Sequence, residues 1–399
     1  METYDVIIIG SGISGMSLAH FCAKGGLSTL IIEKDERIGG TFHSHRFSGE
    51  ASGFWLELGA HTCYNSYGSL IDVMHDCHIL DTITKREKVG YKMLVAGRLK
   101  SIPSRMSFAE LLFSAPRLFT QKKTGKTIEA YYSKIVGKNN FRKVMAPLFD
   151  AVICQRANDF PADLLFKKRP RRKDILKSFT LTHGLQSITD AISVQPKISI
   201  IKGRGVQTVS TSDDRFHLTT GEGSTYTAQS LGVATDAIAA ARLLKAPFPE
   251  LSEQLSKIQV NTVESVGVAL KRKALSLPPV AGLIAVEDSF YSAVSRDTVT
   301  HDTYRGFCFH FREGMLAHEA KLKRIADVLG VNLSQLEEVV SRENRVPSLS
   351  LGHERVISEI DRLLAGKRLL LTGNYFSGLA IEDCVSRSMT EFLRLKSSA

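Results

Sequence analysis

Residues 4–15 read Tyr4-Asp5-Val6-Ile7-Ile8-Ile9-Gly10-Ser11-Gly12-Ile13-Ser14-Gly15, and Glu33 follows eighteen residues after the last glycine. The apolar run, rich in β-branched residues, predicts a buried parallel strand, and the glycines spaced G-x-G-x-x-G mark a sharp turn into a helix. Each glycine has a physical task. Gly10 permits the turn, Gly12 lets backbone N–H groups approach a pyrophosphate, and Gly15 lets the helix lie close on the strand. Ile13 and Ser14 open that helix, whose N-terminus is a ready anion site. It is expected to run to Lys24 and stop at Gly25-Gly26. A strand over Ser28 to Ile32 follows, and Glu33 at its end is placed to accept hydrogen bonds from a ribose. Strand, turn, helix and acid together predict a dinucleotide site, which a lone glycine motif would not.

Beyond Glu33 and Lys34 comes Gly39-Gly40-Thr41. This E-x-x-x-x-x-G-G arrangement resembles flavoproteins of the FAD-dependent amine oxidase superfamily. There the paired glycines lie against the diphosphate, so the resemblance implies FAD rather than NAD. The stretch Phe54 to Thr62 is similar to the one that passes the flavin ring in these proteins, which makes Gly59, Ala60 and His61 candidate ring-lining residues. His61 is the first catalytic candidate, to orient a substrate or bond the flavin, with a structural hydrogen bond as its alternative.

With 399 residues, 43% apolar and 23% charged, the chain has an ordinary globular composition and exceeds what one core usually organises. No apolar run reaches transmembrane length. The start is not that of a signal peptide. Six cysteines without a C-x-x-C pair argue against a zinc ribbon or redox dithiol, and a reducing cytoplasmic compartment is the simplest expectation. The formal charge of +11 is uneven. Between Lys92 and Lys177 there are twenty Lys and Arg against six Asp and Glu, a net +14 that leaves −3 elsewhere. Such a segment attracts anionic lipid, an acidic substrate or nucleic acid. No nucleic-acid signature accompanies it, and no nucleic-acid partner is expected.

Phe108, Leu111, Leu112 and Ala115 fall at helical spacing before Pro116, next to lysines. Two readings stay open, a helix covering the core and a stripe in a membrane interface. Helices are expected from Thr127 to Gly137 and from Asn140 to Val152. With Asp159 to Ala162 and Ser178 to Ile188, these resemble the helical insertion of protoporphyrinogen oxidases, with His183 where that family usually has glycine. Lys167, Lys168, Arg169, Arg171, Arg172 and Lys173 make six basic residues out of seven. They read as a solvated loop or as contact with an anionic membrane surface or a carboxylate-bearing substrate.

Ile198 to Val209, Arg215 to Thr220 and Ser224 to Gln229 predict a small β-meander, and Ser230 to Thr235 a separate buried strand. Val206 is similar in placement to a valine that meets adenine in the superfamily, or is a plain strand residue. Strands are expected over Val260 to Leu270, Gly282 to Val286 and Thr303 to Phe311, and helices over Met315 to Leu329 and Leu333 to Ser341. Phe307, Phe309 and His310 point into a cavity or belong to the core. Near the end, Gly373-Asn374-Tyr375, then Leu379-Ala380-Ile381 and Asp383-Cys384-Val385, resemble the closing strand and helix of protoporphyrinogen oxidases. In flavoproteins of this class that junction holds the ribityl chain and pyrimidine edge. Tyr375, the evident aromatic there, is the second catalytic candidate.

The expected architecture is α/β. It has a Rossmann-type, glutathione reductase-like FAD-binding domain, a mixed-sheet substrate domain and a helical insertion. The boundaries are 1–98, 198–245 and 346–399 for FAD binding, 99–197 for the insertion and 246–345 for the substrate domain. The resemblance implies hydride transfer from a small-molecule substrate, a carboxylate-bearing porphyrinogen macrocycle in the nearest family, to flavin N5, with oxygen or another acceptor restoring the flavin. No catalytic triad, carboxylate pair or metal-ligand cluster stands out, and flavin chemistry requires none. Other superfamily enzymes, such as amine oxidases, desaturase-like or mutase-like proteins, and a non-catalytic FAD-binding partner protein are the alternatives.

Overall fold

β1 (Thr3–Ile9) carries Val6, Ile7 and Ile8 with no exposed surface, as an interior parallel strand should. In the computed structural model, whose described residues are 3–397, it lies mid-sheet between β2 (Thr29–Ile32) and the strand Thr225–Val233, parallel to both. α1 (Ile13–Lys24) connects β1 to β2 and buries every residue from Ile13 to Cys22. Burial all round the helix follows from packing between the sheet and the C-terminal helix Ile381–Ser397. α1 ends at Gly25, and Gly26 takes φ +92°, which favours glycine.

The first sheet has seven strands. Ile198–Ile201 pairs in parallel with the outer edge of β2, while Arg215–Thr220 and Val206–Ser212 continue antiparallel from Thr225–Val233. The meander expected from Ile198 is therefore divided between the two edges. The turn at Lys202 to Gly205 ends one strand, and Gly203 sits at φ +70°. The strand expected from Ser230 is the second half of Thr225–Val233. Its first half serves the antiparallel hairpin, and Leu231 to Val233 pair in parallel with Leu369–Leu371.

The second sheet runs Glu338–Ser348, Gln259–Lys271, Tyr304–Arg312, Phe290–Ser295, Gly282–Val286, Tyr91–Val95 and Arg98–Ser101. The hairpin at residues 91–101 belongs to this sheet, so the boundary drawn at residue 98 cuts through it. The helix expected at Leu333 to Ser341 is not formed. A single turn at Leu333–Gln335 gives way to a strand, because Glu338 to Ser348 can pair along the edge of Gln259–Lys271 and the β-branched Val339 and Val340 suit that role. The other expected helix begins at His318 and buries Ile325 and Leu329 against Phe307, Phe309 and Phe311. Phe307 and Phe309 are thus core residues. Arg305 and Asp297, each 4% exposed, pair through two contacts of 2.5 and 2.8 Å in this lobe, and Asp297 also accepts from the Val280 N–H.

The insertion is helical over Phe108–Ser114, Ile128–Val136 and Ala146–Ile153. Phe108 and Leu112 do not cover the core. They are 64% and 73% exposed. No helix among the described residues is long and apolar enough to cross a membrane, and all six cysteines are free.

Candidate functional site

The strand-to-helix turn builds the first wall. Gly10 has φ +99°, and a Cβ there would stand 2.9 Å from the Ala234 carbonyl oxygen. At Gly15 a Cβ would clash with the Gly10 carbonyl, so only glycine lets α1 lie this close to β1. Gly12 differs from both. A Cβ there would meet no chain atom nearer than 4.0 Å, so the chain itself does not demand glycine at that position. Gly12 caps α1 without a side-chain hydrogen bond, and the first turn carries no acid. The N–H groups of Ile13 and Ser14, in the first turn, therefore have no intrahelical partners.

Across from this turn lies the second glycine pair. Gly39 bridges to Gly12, its N–H donating to the Ser11 carbonyl at 3.0 Å, and a Cβ on Gly40 would reach within 2.9 Å of the Gly12 Cα. Arg37 holds this loop, with its guanidinium donating to the carbonyls of Ile38, Gly40 and Phe42. Burial, aided by Arg342, lowers its pKa to about 10. Thr41 ties the pair to the next stretch. Its carbonyl accepts from Ala60 at 3.0 Å, and Gly59 packs so tightly on Thr41 that a Cβ would clash with the same oxygen. Gly59, Ala60 and His61 are thus held beside the paired glycines.

Glu33 is buried at the end of β2. One carboxylate oxygen accepts from the Ser11 N–H at 2.8 Å and the Ser11 hydroxyl at 2.6 Å, and the other from the Asp35 N–H at 3.0 Å. A carboxylate offers about four lone-pair sites, so one further donor can be taken. Lys34 is exposed, and Gly205 lies against its side chain just ahead of buried Val206. These residues share one corner of the sheet.

The C-terminal junction forms the remaining wall. Gly373 and half-buried Asn374 follow the strand Leu369–Leu371, and Leu379 and Ala380 lead to Ile381, the first residue of the last helix. That helix is fixed to α1. The Ser388 hydroxyl contacts the Ser14 carbonyl at 2.8 Å and the Thr372 hydroxyl at the same distance. Tyr375 is not at the surface of this junction. It is 1% exposed, packs on Phe376 within the core under the first sheet, and its buried hydroxyl finds no partner among the described residues. Burial raises its phenol pKa.

His61 opens on a small cavity shared with Trp55, Glu57, Arg86, Thr180 and Arg296. Its volume of about 20 Å³ admits one small polar group. Three buried atoms here lack hydrogen-bond partners among the described residues, namely Nε of Arg86, Nε of Arg296 and the Thr180 hydroxyl. Arg296 is 9% exposed and stacks 4.0 Å above the Trp55 ring, and burial lowers its pKa to about 10. Burial, with Arg86 and His310 nearby, lowers His61 to about 3, so its imidazole is neutral at physiological pH. Glu57 moves the other way. Burial raises it to about 7 despite hydrogen bonds from Ser44 and the Leu185 N–H.

Behind Leu58 runs a polar chain that no motif announced. Asn344 donates to the Leu58 carbonyl and to the Ser265 hydroxyl, and Ser265 bonds His310 at 2.9 Å. His310 thus serves this network, and burial keeps it neutral by lowering its pKa to about 4. A second cavity of about 270 Å³ opens beside Arg37, His43, His45 and Gln186, and His183 lines it. The turn beside His183 is accommodated by Gly184 at φ +86°. The basic run at 167–173 is only partly available. Lys167 and Arg169 bind Asp383 at the start of the last helix, Lys167 also donates to the Ser377 carbonyl, and Arg172 pairs with Asp174.

The facing glycines, the uncapped first turn and buried Glu33 together fit the diphosphate and ribose of FAD. Residues 8–77 match the family model described as an NAD(P)-binding Rossmann-like domain. A proposed protoporphyrinogen oxidase from Exiguobacterium sp. 255-15 superposes with a TM-score of 0.80 over 99% of both chains at 17% identity. A putrescine oxidase double mutant gives 0.73 over 99% of both at 14%. Digeranylgeranylglycerophospholipid reductase of Thermoplasma volcanium is 56% identical over 39 residues, 10% of each chain, so the match spans about a tenth of that relative's length. The chain therefore carries a Rossmann-like dinucleotide-binding domain within an overall fold similar to those of the protoporphyrinogen oxidase and putrescine oxidase structures.

Proposed function

We propose that the protein is an FAD-dependent oxidoreductase acting on a small anionic substrate, and that a carboxylate-bearing porphyrinogen is its specific substrate. The cofactor reading rests on Gly12, a glycine that the chain's own packing does not require and that a diphosphate on the α1 N-terminus does. When bound, FAD supplies the acceptor for a hydride, with oxygen or another acceptor taking the electrons onward. The chain's residues bind and orient. First-turn N–H groups hold the diphosphate, Glu33 takes a ribose hydroxyl, and the junction at Gly373 to Ile381 supplies backbone donors near the flavin.

The carboxylate part of the substrate reading is supported by Arg86 and Arg296, whose unpaired Nε atoms share with His61 a cavity that has room for one carboxylate and not for a macrocycle. Two guanidinium groups suit a carboxylate. Neutral His61 can donate or accept a hydrogen bond there without adding charge. Purified protein should be yellow with flavin absorbance, and a colourless preparation that takes up no FAD removes the cofactor reading. Anaerobic mixing with protoporphyrinogen or coproporphyrinogen should bleach that absorbance and yield porphyrin fluorescence. Failure with both removes the porphyrinogen reading alone. Arg296→Met should raise KM for a carboxylate substrate roughly tenfold or more with a smaller change in kcat, as expected where binding is lost uniformly.

A further inference from the structure

We infer that the short segment following Ile102 is a docking surface for an anionic lipid bilayer. The helix Phe108–Ser114 and the turn Ala115–Phe119 expose Phe119 by 90%, Phe113 by 80% and Leu112 by 73%, with Phe108 and Leu118 also more than half exposed. Such a cluster marks an interaction site, because soluble surfaces rarely gather large apolar side chains in one place.

The cluster stands on a fixed base. Ser107 caps the helix, and Asn140 binds both the N–H and the carbonyl of Ser107 at 2.7 and 2.9 Å. Between Arg98 and Lys126 the chain holds seven Lys and Arg against one acid, Glu110. Glu110 is turned inward, accepting from the N–H groups of Asn139 and Asn140 at 2.9 and 3.0 Å. The exposed charge of the segment is therefore cationic, with Arg98, Lys100, Arg117 and Lys122 all exposed.

Charge selects the occupant. A second copy of this face would bring cations against cations, whereas an anionic bilayer offers acyl chains to the phenylalanines and headgroups to the cations. Apolar insertion combined with a basic skirt is the two-part signal that stable interfacial binding requires. This surface differs from the run at 167–173, several of whose charges are already paired within the chain, and the inference does not rest on the proposed chemistry.

The FAD-loaded full chain should co-sediment with phosphatidylcholine vesicles containing phosphatidylglycerol, and more weakly with phosphatidylcholine alone. Phe113→Ser with Phe119→Ser should weaken binding by roughly tenfold or more. Arg117→Gln and Lys122→Gln should each weaken it by about fivefold at low salt, an effect that shrinks as salt rises. Flavin absorbance and thermal midpoint should not change in any of these, since the substituted side chains are exposed. Wild-type protein that ignores the vesicles overturns the inference. So does undiminished binding by the double phenylalanine variant, or self-association in sedimentation velocity that the same variant abolishes without any vesicle binding.

Discussion

Gly12→Ala separates the cofactor from the fold. Gly12 has φ −63° and ψ 171°, which alanine adopts freely, and its added methyl would meet nothing closer than 4.0 Å. Without ligand, two small effects oppose each other. Reduced freedom of the unfolded chain stabilises by about 0.4–1 kcal/mol, and alanine at a helix N-cap loses a comparable amount. The apoprotein should therefore unfold within about 1 kcal/mol of wild type. Binding is another matter, because the methyl projects into the space from which a diphosphate reaches the first-turn N–H groups. Displacing one or two charge-assisted hydrogen bonds, each contributing about 1.5–3 kcal/mol, predicts a loss near 3 kcal/mol, or on the order of a hundredfold in FAD affinity. At an FAD concentration about 100 times the wild-type Kd, ligand stabilisation of about 2.7 kcal/mol should shrink to a few tenths. Fluorescence-quench titration of apoprotein and urea unfolding with and without FAD measure both halves. Affinity within about threefold of wild type would refute the placement of the diphosphate at Gly12.

Other outcomes follow from the packing. Gly15→Ala, which drives a methyl into the Gly10 carbonyl, should destabilise even the apoprotein by about 1–3 kcal/mol in the same urea assay. Asp297→Ala strands the Arg305 guanidinium in the second lobe and should cost about 3–5 kcal/mol, measured by thermal or urea unfolding. His310 is held near 4 when folded against 6.5 in a free chain, so its neutrality stabilises fully above 6.5 and that contribution, roughly 3 kcal/mol at most, disappears as pH falls toward 4. His310→Gln should flatten the acid limb of stability against pH, and an unchanged limb would assign it to other groups. Glu57 acts in the opposite direction, since its raised pKa of about 7 gives stability that is full below 4.5 and lost as pH rises through 7. Glu57→Gln should therefore gain relative to wild type in alkaline urea titrations.

The parts of the site legible in the sequence are those built from contiguous backbone. Gly10 to Gly15, Glu33 and Gly39-Gly40 sit where their spacing placed them, because a strand, a tight turn and a helix are local structures with local residue requirements. Failures came where partners lie far along the chain. Glu338 to Ser348 has an ambiguous pattern that pairing with Gln259–Lys271 resolves as strand, and Thr225–Val233 is one strand because different neighbours take its two halves. Arg86, Thr180 and Arg296 meet in one cavity from three distant segments, and Asn344 and Ser265 join only across paired strands. Nothing in their immediate sequence marks them. Tyr375 shows the converse, since its neighbourhood resembles a flavin junction while its ring is part of the core.

The closure of the first sheet by Leu369–Leu371, with the last helix lying on α1, has a consequence for how the protein comes to exist. During synthesis the glycine turn at Gly10 to Gly15 emerges long before the wall at Gly373 to Ile381 that completes the cofactor site with it. Until then α1 has no partner on one side, and Met16, Ala19 and Cys22, which pack in one core with Cys384, Val385 and Leu395, lack that covering. Pairings this distant in sequence form slowly. The cofactor site is therefore not assembled until this distant segment has been made, and a chain cut between Lys367 and Leu369 would lack both the closing strand and the last helix and leave an apolar seam on α1 open.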